Sequence, residues 1–224
     1  QPFPETHKLH INQSNKNNHD YIRNLIKHEH ESVLEHASWS FILFGVSRAF
    51  THQLVRHRVG FAFSQLSQQY HDESNANFIC PPGLSEHSEA LKIWKRAADH
   101  ASQAYSNILN EVNKLERGDR IKNKENIRSL RSIARSVLPN ATESVIVVTA
   151  NARALRHFFK IRGGIVGDVE MRCVATALLE LVRPEAPAVF SDFFASLPQL
   201  ETIRVINAIK TNFTFICLLF NILG

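Results

Sequence analysis

The sequence predicts an α+β fold, one large domain or at most two small ones, with long helices and few strands. Three observations lead there. A chain of 224 residues with 44% apolar side chains can bury a core unaided, and 21% charged residues is ordinary for a globular protein. Apolar residues recur at three- and four-residue steps along several stretches, while concentrated β character is confined to 35–44 and 144–149. No glycine-rich phosphate loop follows either strand, which sets aside doubly wound dinucleotide folds and P-loop enzymes. With eight Gly and eight Pro, fibrous and wholly disordered classes are excluded as well.

Each element follows from local chemistry. A polar lead over 1–20 gives way to a short helix from Asp20 to Ile26. Glu35 to Phe44 alternates in part and is rich in aromatic and β-branched residues, so it reads as a strand. Ser47 is a suitable N-cap for a helix through about Arg58, which Gly60 ends. Phe61 to Tyr70 follows as an extended or looping piece, and Pro81-Pro82-Gly83 is a firm break. Leu84, Leu91, Trp94, Ala98, Ala101, Tyr105, Ile108, Leu109, Val112 and Leu115 then mark one face of a long helix, ended by Arg117-Gly118-Asp119. A helix from Lys124 to Val137 carries the stripe Ile127, Leu130, Ala134 and Val137, and Pro139 stops it. Ser144 to Thr149 has strand character, although period alone does not separate it from a buried helix start. Ala152 to Ile161 reads as a helix ended by Gly163-Gly164. The last clear helix runs from Asp168 to Val182, with Met171, Val174, Ala175, Leu178 and Leu181 inward and Pro184 closing it.

Charge and cysteine usage narrow the function classes. Against 26 Lys and Arg stand 21 Asp and Glu, a net +5 that favours anionic partners without choosing among them. Three scattered cysteines, Cys80, Cys173 and Cys217, make neither a disulfide framework nor a zinc ribbon, so reduced thiols in a cytoplasmic protein are expected. The polar lead has no apolar core of a signal peptide. Phe213 to Leu223 is apolar over about half of the roughly 20 residues a membrane helix needs, and is expected to be a packing segment. No metal is expected: His28, His30 and His36 lie close in the chain, but their spacing matches no zinc motif.

The densest polar stretch runs from Arg48 to Tyr70, with no acid in it. On a helix through Arg58, Arg48, His52 and Arg56 would share a face, and Arg56-His57-Arg58 would add donors at its end. The helix C-terminus alone would make such cations comfortable. The amides and hydroxyls of Ser64-Gln65-Leu66-Ser67-Gln68-Gln69-Tyr70 follow almost at once, and arginine with amide and hydroxyl groups can hold a phosphate and a base edge together. Further ridges come from Arg128, Arg131 and Arg135, and from Arg153, Arg156, His157, Lys160 and Arg162. A nucleic-acid module is the rival reading, but +5 is modest for it and the cations form no continuous arm. A third reading confines the arginine-rich helices to subunit contacts.

The Arg-His-Arg triplet with Ser64 to Tyr70 resembles the signature of the flavin-dependent thymidylate synthases. His30-Glu31-Ser32-Val33-Leu34-Glu35-His36, Ser47-Arg48, His52-Gln53-Leu54-Val55, the run Arg135 to Glu143 and the run Thr149 to Ala154 with His157-Phe158 and Arg162 extend the resemblance over about 30 to 190. The chain departs from the pattern in an eight-residue spacer, Val59 to Leu66, where seven is usual, in Gln69 where an arginine is expected, and in Val166 where relatives often carry histidine. The resemblance implies a central, mostly antiparallel sheet flanked by long helices, within a catalytic domain over 21–197 and ahead of a segment over 198–224. It implies methylation of dUMP to dTMP with 5,10-methylenetetrahydrofolate as carbon donor and NADPH-reduced FAD as hydride donor, without a cysteine nucleophile. It gives Arg162 the catalytic place against the pyrimidine. Gln53, Leu54, Val55, Arg56, Gln65, Leu66, Ser67, Gln68, Gln69, Arg135 and Arg162 correspond to the dUMP set, with Arg48 added. His30, Ser32, Arg56, His57, Arg58, Gln65, Asn151, Ala152, Arg153 and His157 correspond to the FAD set. A homotetramer with sites shared between subunits is implied, with neither nucleic acid nor membrane as partner.

Overall fold

The computed structural model describes residues 18–115, 124–164 and 168–193, and the backbone of 204–207. The helix end expected at 117–119, Val166 and the apolar stretch with Cys217 lie outside the described residues.

Helix α1 (Asn18–Lys27) leads into a 3-10 turn over Glu31–His36 and strand β1 (Ser38–Ser47). Then come α2 (Arg48–Leu54), β2 (Phe61–Gln65), α3 (Ser88–Leu115), α4 (Lys124–Ala134), β3 (Glu143–Asn151), α5 (Ala152–Arg162), α6 (Val169–Glu185), the short α7 (Pro187–Phe190) and β4 (Arg204–Asn207). The strands form one sheet in the order β2-β3-β1-β4, antiparallel at every pairing. This is the α+β architecture expected from the sequence.

The core lies on one face of this sheet. Phe41, Leu43, Ile146 and Val148 project from β1 and β3 onto Leu155 and Phe158 of α5 and Val174 and Leu178 of α6. Alternation along β1 breaks at Gly45, which adopts φ 69°, a region open to glycine without steric cost. There β1 advances from Leu43 to Val46 while β3 advances only from Ile146 to Ser144, a one-residue bulge. Val46 and Ser47 are consequently both buried. Ser47 then caps α2 by accepting from the Phe50 N–H at 3.0 Å, and Asn151 and Asp168 cap α5 and α6 in the same way.

Several expected boundaries move. The strand expected at Glu35 begins at Ser38, because 31–36 coil into the 3-10 turn that seats Leu34 in the core. The helix expected through Arg58 ends at Leu54, so Arg56 leaves the face shared by Arg48 and His52. Leu54 is a core residue and the chain must turn back there to pair Phe61 with Ala150. Helix α4 stops at Ala134 and tightens into a 3-10 turn over Arg135–Val137. Pro184 stands inside the last turn of α6, which runs on to Glu185.

Candidate active site

Strand β2 is an edge of the sheet, and candidate residues gather at both of its ends. Phe61 pairs with Ala150, next to the start of α5, and Gln65 pairs with Ile146, toward Ser144. At about 3.3 Å per residue the two ends stand roughly 13 Å apart.

At the Phe61 end lies a cleft of 520 Å³ lined by Val59, Gly60, Asn151, Arg153, His157 and Lys160, with Glu31, Glu35, Arg156 and Phe193 completing its wall. The cleft therefore collects Asn151, Arg153 and His157 from the expected cofactor set. Asn151 accepts from the Ala154 N–H at 2.9 Å, so its carbonyl oxygen is spent on the helix cap and its amide nitrogen is left to donate. Arg153 pairs with Glu35 at 2.5 Å and with Glu31 at 3.8 Å. Gly60 comes so close to α5 that a Cβ there would stand 2.8 Å from Ala154 Cβ and from the Asn151 amide, and its φ of +72° suits glycine. His30 and Ser32 are exposed on the 3-10 turn bordering this cleft, but the turn's lining residues are Glu31 and Glu35. Ala152 is fully buried, its N–H bound to the Ala37 carbonyl.

His57 packs just behind. Its ring meets Phe158 edge-on at 5.2 Å and Phe61 at 5.8 Å, and its Nε2 accepts from Arg162 Nε at 3.0 Å. Burial pushes the imidazole below its ordinary range, and the charges of Arg162 and His157 push it further down. Arg56 and Arg58 are exposed on either side of it in the chain.

The Gln65 end holds the other group. Gln65 Nε2 donates to Thr51 of α2 at 2.9 Å and to Ser144 of β3 at 2.8 Å, tying the strand to both. The chain then turns through Ser67, buried Gln68 and Gln69, whose amide donates to Ser132 Oγ of α4 at 3.3 Å. Gln68 Nε2 is a buried donor without a protein partner. Burial pushes the Arg48 guanidinium down, Glu73 opposes this, and Arg135 adds to it, so Arg48, Glu73 and Arg135 form one electrostatic cluster. Arg48 and Arg135 bring two cations to this patch, and the Glu73 carboxylate stands among them. Gln53 and Val55 flank it half-buried, whereas the side chain of Leu54 is spent on the core.

The arginine ridges turn out to be clamps. Arg131 Nη1 donates to the Tyr70 carbonyl at 2.5 Å, and Arg128 lies over the Tyr70 ring at 4.4 Å. Arg156, expected on a basic face, is buried in a bidentate pair with Asp192. Cations so engaged leave little free charge for a polynucleotide. Among the described residues no group of His, Cys, Asp and Glu is arranged to hold a metal. Sequence reasoning missed Glu31, Glu35, Gly60, Lys160 and Phe193 as cleft residues. The acids had a signal in standing four apart, and Gly60 in following the triplet directly, while Phe193 had none.

Comparison with known proteins agrees with this picture. Residues 3–188 match the family described as thymidylate synthase complementing protein. The chain is 44% identical over 176 residues to a flavin-dependent thymidylate synthase of Mycolicibacterium gilvum, covering 79% of this chain and 70% of that protein. It is 43% identical over 180 residues to the same enzyme of Mycolicibacterium vanbaalenii and 44% over 176 residues to that of Mycobacterium tuberculosis, with the same coverage.

Proposed function

Since the chain belongs to the family of flavin-dependent thymidylate synthases and is an enzyme of that type, we propose that it converts dUMP to dTMP with 5,10-methylenetetrahydrofolate, NADPH and FAD. The observation that carries this reading is the match over 3–188 together with the gathering of motif residues at the two ends of β2, Arg162 meeting His57 at the Phe61 end and Gln65 standing at the other.

The Phe61 end fits a dinucleotide. Arg153, His157, Lys160 and the Asn151 amide nitrogen are donors around a cleft whose floor is the bare backbone of Gly60, where a Cβ would collide with the wall. Arg156, engaged with Asp192 and 3.6 Å from Glu31, walls the cleft and is not one of these donors. These residues, with His30, Ser32, Arg56 and Arg58 nearby in the fold's 3-10 turn and post-helix loop, would hold FAD, which supplies the hydride chemistry when bound. At the Gln65 end, Arg48 and Arg135 would take the dUMP phosphate, with Ser67, Gln68 and Gln69 beside them. Gln65 braces the strand that carries this group. Arg162 would face the pyrimidine, where a fixed cation favours negative charge on the ring.

The proposed route uses no thiol; Cys80 lies in the loop before Pro81 and Cys173 is a core residue of α6. The exposed apolar side chains Ile127, Ile133 and Val137 on and after α4 suit burial against further copies in a homotetramer with shared sites. No helix among the described residues is long and apolar enough to cross a membrane.

The test is direct. Purified protein titrated with FAD should acquire the absorption bands of bound oxidised flavin, and should form dTMP from dUMP only when folate, NADPH and FAD are all supplied. Protein that ignores FAD and makes no dTMP would end this reading.

A further inference from the structure

An arginine guanidinium offers five N–H donors and no acceptor. Its partner in any hydrogen bond must therefore present a lone pair. Arg162 Nε stands 3.0 Å from Nε2 of His57, so that nitrogen carries no proton and the imidazole is neutral with its hydrogen on Nδ1. The ring cannot swing away easily, since Phe158 meets it edge-on from α5 and Phe61 lies beside it on β2. The charged or titratable groups facing it from α5 are Arg162 and His157, β2 presents the ring of Phe61, and Arg56 and Arg58 adjoin it in the chain.

We propose that His57 is a positioning residue for Arg162: its unprotonated Nε2 takes the Nε–H and so fixes the plane in which the remaining four N–H groups of the guanidinium point. The inference rests on the reading that Arg162 faces the pyrimidine. It gives the middle residue of the triplet a task distinct from holding the cofactor. One edge of the arginine is spent on the imidazole, and rotation about its last side-chain bond is arrested. The terminal amino groups are then held ready before substrate arrives, which is the condition for a cation to act on charge that develops during reaction.

The arrangement has a built-in proton dependence. Adding a proton at Nε2 would set two donors against each other and two cations 3.0 Å apart. The bond would break, and Arg162 would lose its fixed orientation. Neutral His57 is thus the working form, favoured by burial and by the neighbouring charges. Acid should release the arginine with a dependence on one proton.

Three variants and two readouts test this. His57→Gln keeps an acceptor that does not titrate, His57→Phe keeps the ring between its aromatic neighbours without an acceptor, and Arg162→Ala removes the donor. Turnover of dUMP is followed from about pH 4.5 to 8.5, a window that reaches well below the ordinary histidine value, the side toward which burial moves this ring. In parallel, nitrogen NMR of the histidine rings is recorded on the protein without flavin. The parent should show a one-proton acid limb in kcat and an unprotonated Nε2 at neutral pH. His57→Phe should lose about a hundredfold in kcat, as when one oriented donor is removed, with KM for dUMP and FAD affinity within threefold of the parent. His57→Gln should retain most activity and lack the acid limb. In Arg162→Ala the His57 ring should titrate at higher pH. A proton found on Nε2, or a His57→Phe enzyme as active as the parent, would overturn the proposal. So would a loss that follows weakened FAD binding in proportion, because His57 would then be a cofactor ligand. The reading beneath it fails separately, if Arg162→Ala keeps full turnover while the NMR signature of the His57 bond is present in the parent.

Discussion

Arg156 shows what a single cation does in this molecule. Its side chain is 10% exposed, donates twice to Asp192 at 2.7 Å and once to the Val189 carbonyl, and lies over the Phe193 ring at 4.9 Å. It therefore ties the chain after α7 to α5. Arg156→Met keeps the length but leaves a carboxylate and a carbonyl without their donor. Because Asp192 is half-exposed and can turn to water, the cost should be about 2 kcal/mol rather than that of a fully buried pair. For a chain of this size that is roughly 4–8 °C of melting temperature. Burial pushes the Asp192 carboxyl up, but hydrogen bonds and charge from Arg156 outweigh it and hold the group below its usual value. A lowered carboxyl stabilises the fold above the unfolded value and loses that contribution as pH falls through the folded one. The melting gap between parent and variant should thus narrow below about pH 4. Gln69 makes the opposite point, since its amide already has a partner in Ser132. Charge-assisted bonds exceed neutral ones by roughly 1 kcal/mol. Gln69→Arg should tighten dUMP less than tenfold by calorimetry and leave the reaction unchanged; weaker binding would mean that the loop is adapted to the amide.

At the scale of elements, two junctions place the site. The first is where β2 passes under the start of α5. Gly60 there adopts φ +72° with no room for a Cβ. Gly60→Ala adds backbone strain of about 1–3 kcal/mol and pushes α5 off β2. It should lower the melting temperature and weaken FAD in the same titration, whereas Gly83→Ala, with φ +85° in open space, should leave FAD binding alone. The second junction is the entry to α2. Ser47 donates to Glu170 of α6 through both N and Oγ at 2.7 Å while capping α2. Burial pushes the Glu170 carboxyl up, and the two Ser47 bonds pull it back only in part. Ser47→Ala removes a cap and one of those bonds, about 1–2 kcal/mol. Since α2 carries Arg48 and Gln53, a KM rise for dUMP should accompany the lower melting temperature.

For the whole molecule the testable matters are thiols and copies. Cys80→Ala, Cys173→Ala and Cys217→Ala together should leave dTMP formation detectable, and the main loss should be stability, because Cys173 is 5% exposed in the core. Complete loss of turnover in a folded, flavin-binding triple variant would make a thiol catalytic. Sedimentation should show four copies, and a charged residue at Ile133 should shift the protein toward smaller species. A monomer with full activity would remove the shared-site reading.

What the sequence determined by itself was whatever depends on neighbours in the chain. The two strands, the helical stripes of α3, α4 and α6 and the cap at Ser47 follow from period and from short-range hydrogen bonding, and the motif residues were visible as a series. The end of α2 was not legible, because local propensity continues through Arg58 while core burial of Leu54 and the pairing of Phe61 with Ala150 force the chain to turn. Nor were the contacts that make the site: His57 with Arg162, Gln65 with Ser144 and Arg156 with Asp192. Each joins residues far apart in the chain, and no periodicity records which charge will meet which. Only the closing of the sheet and the docking of α5 upon it decided that three apparent basic faces would become a charge cluster around Arg48, a clamp on Tyr70 and a cleft beside Gly60.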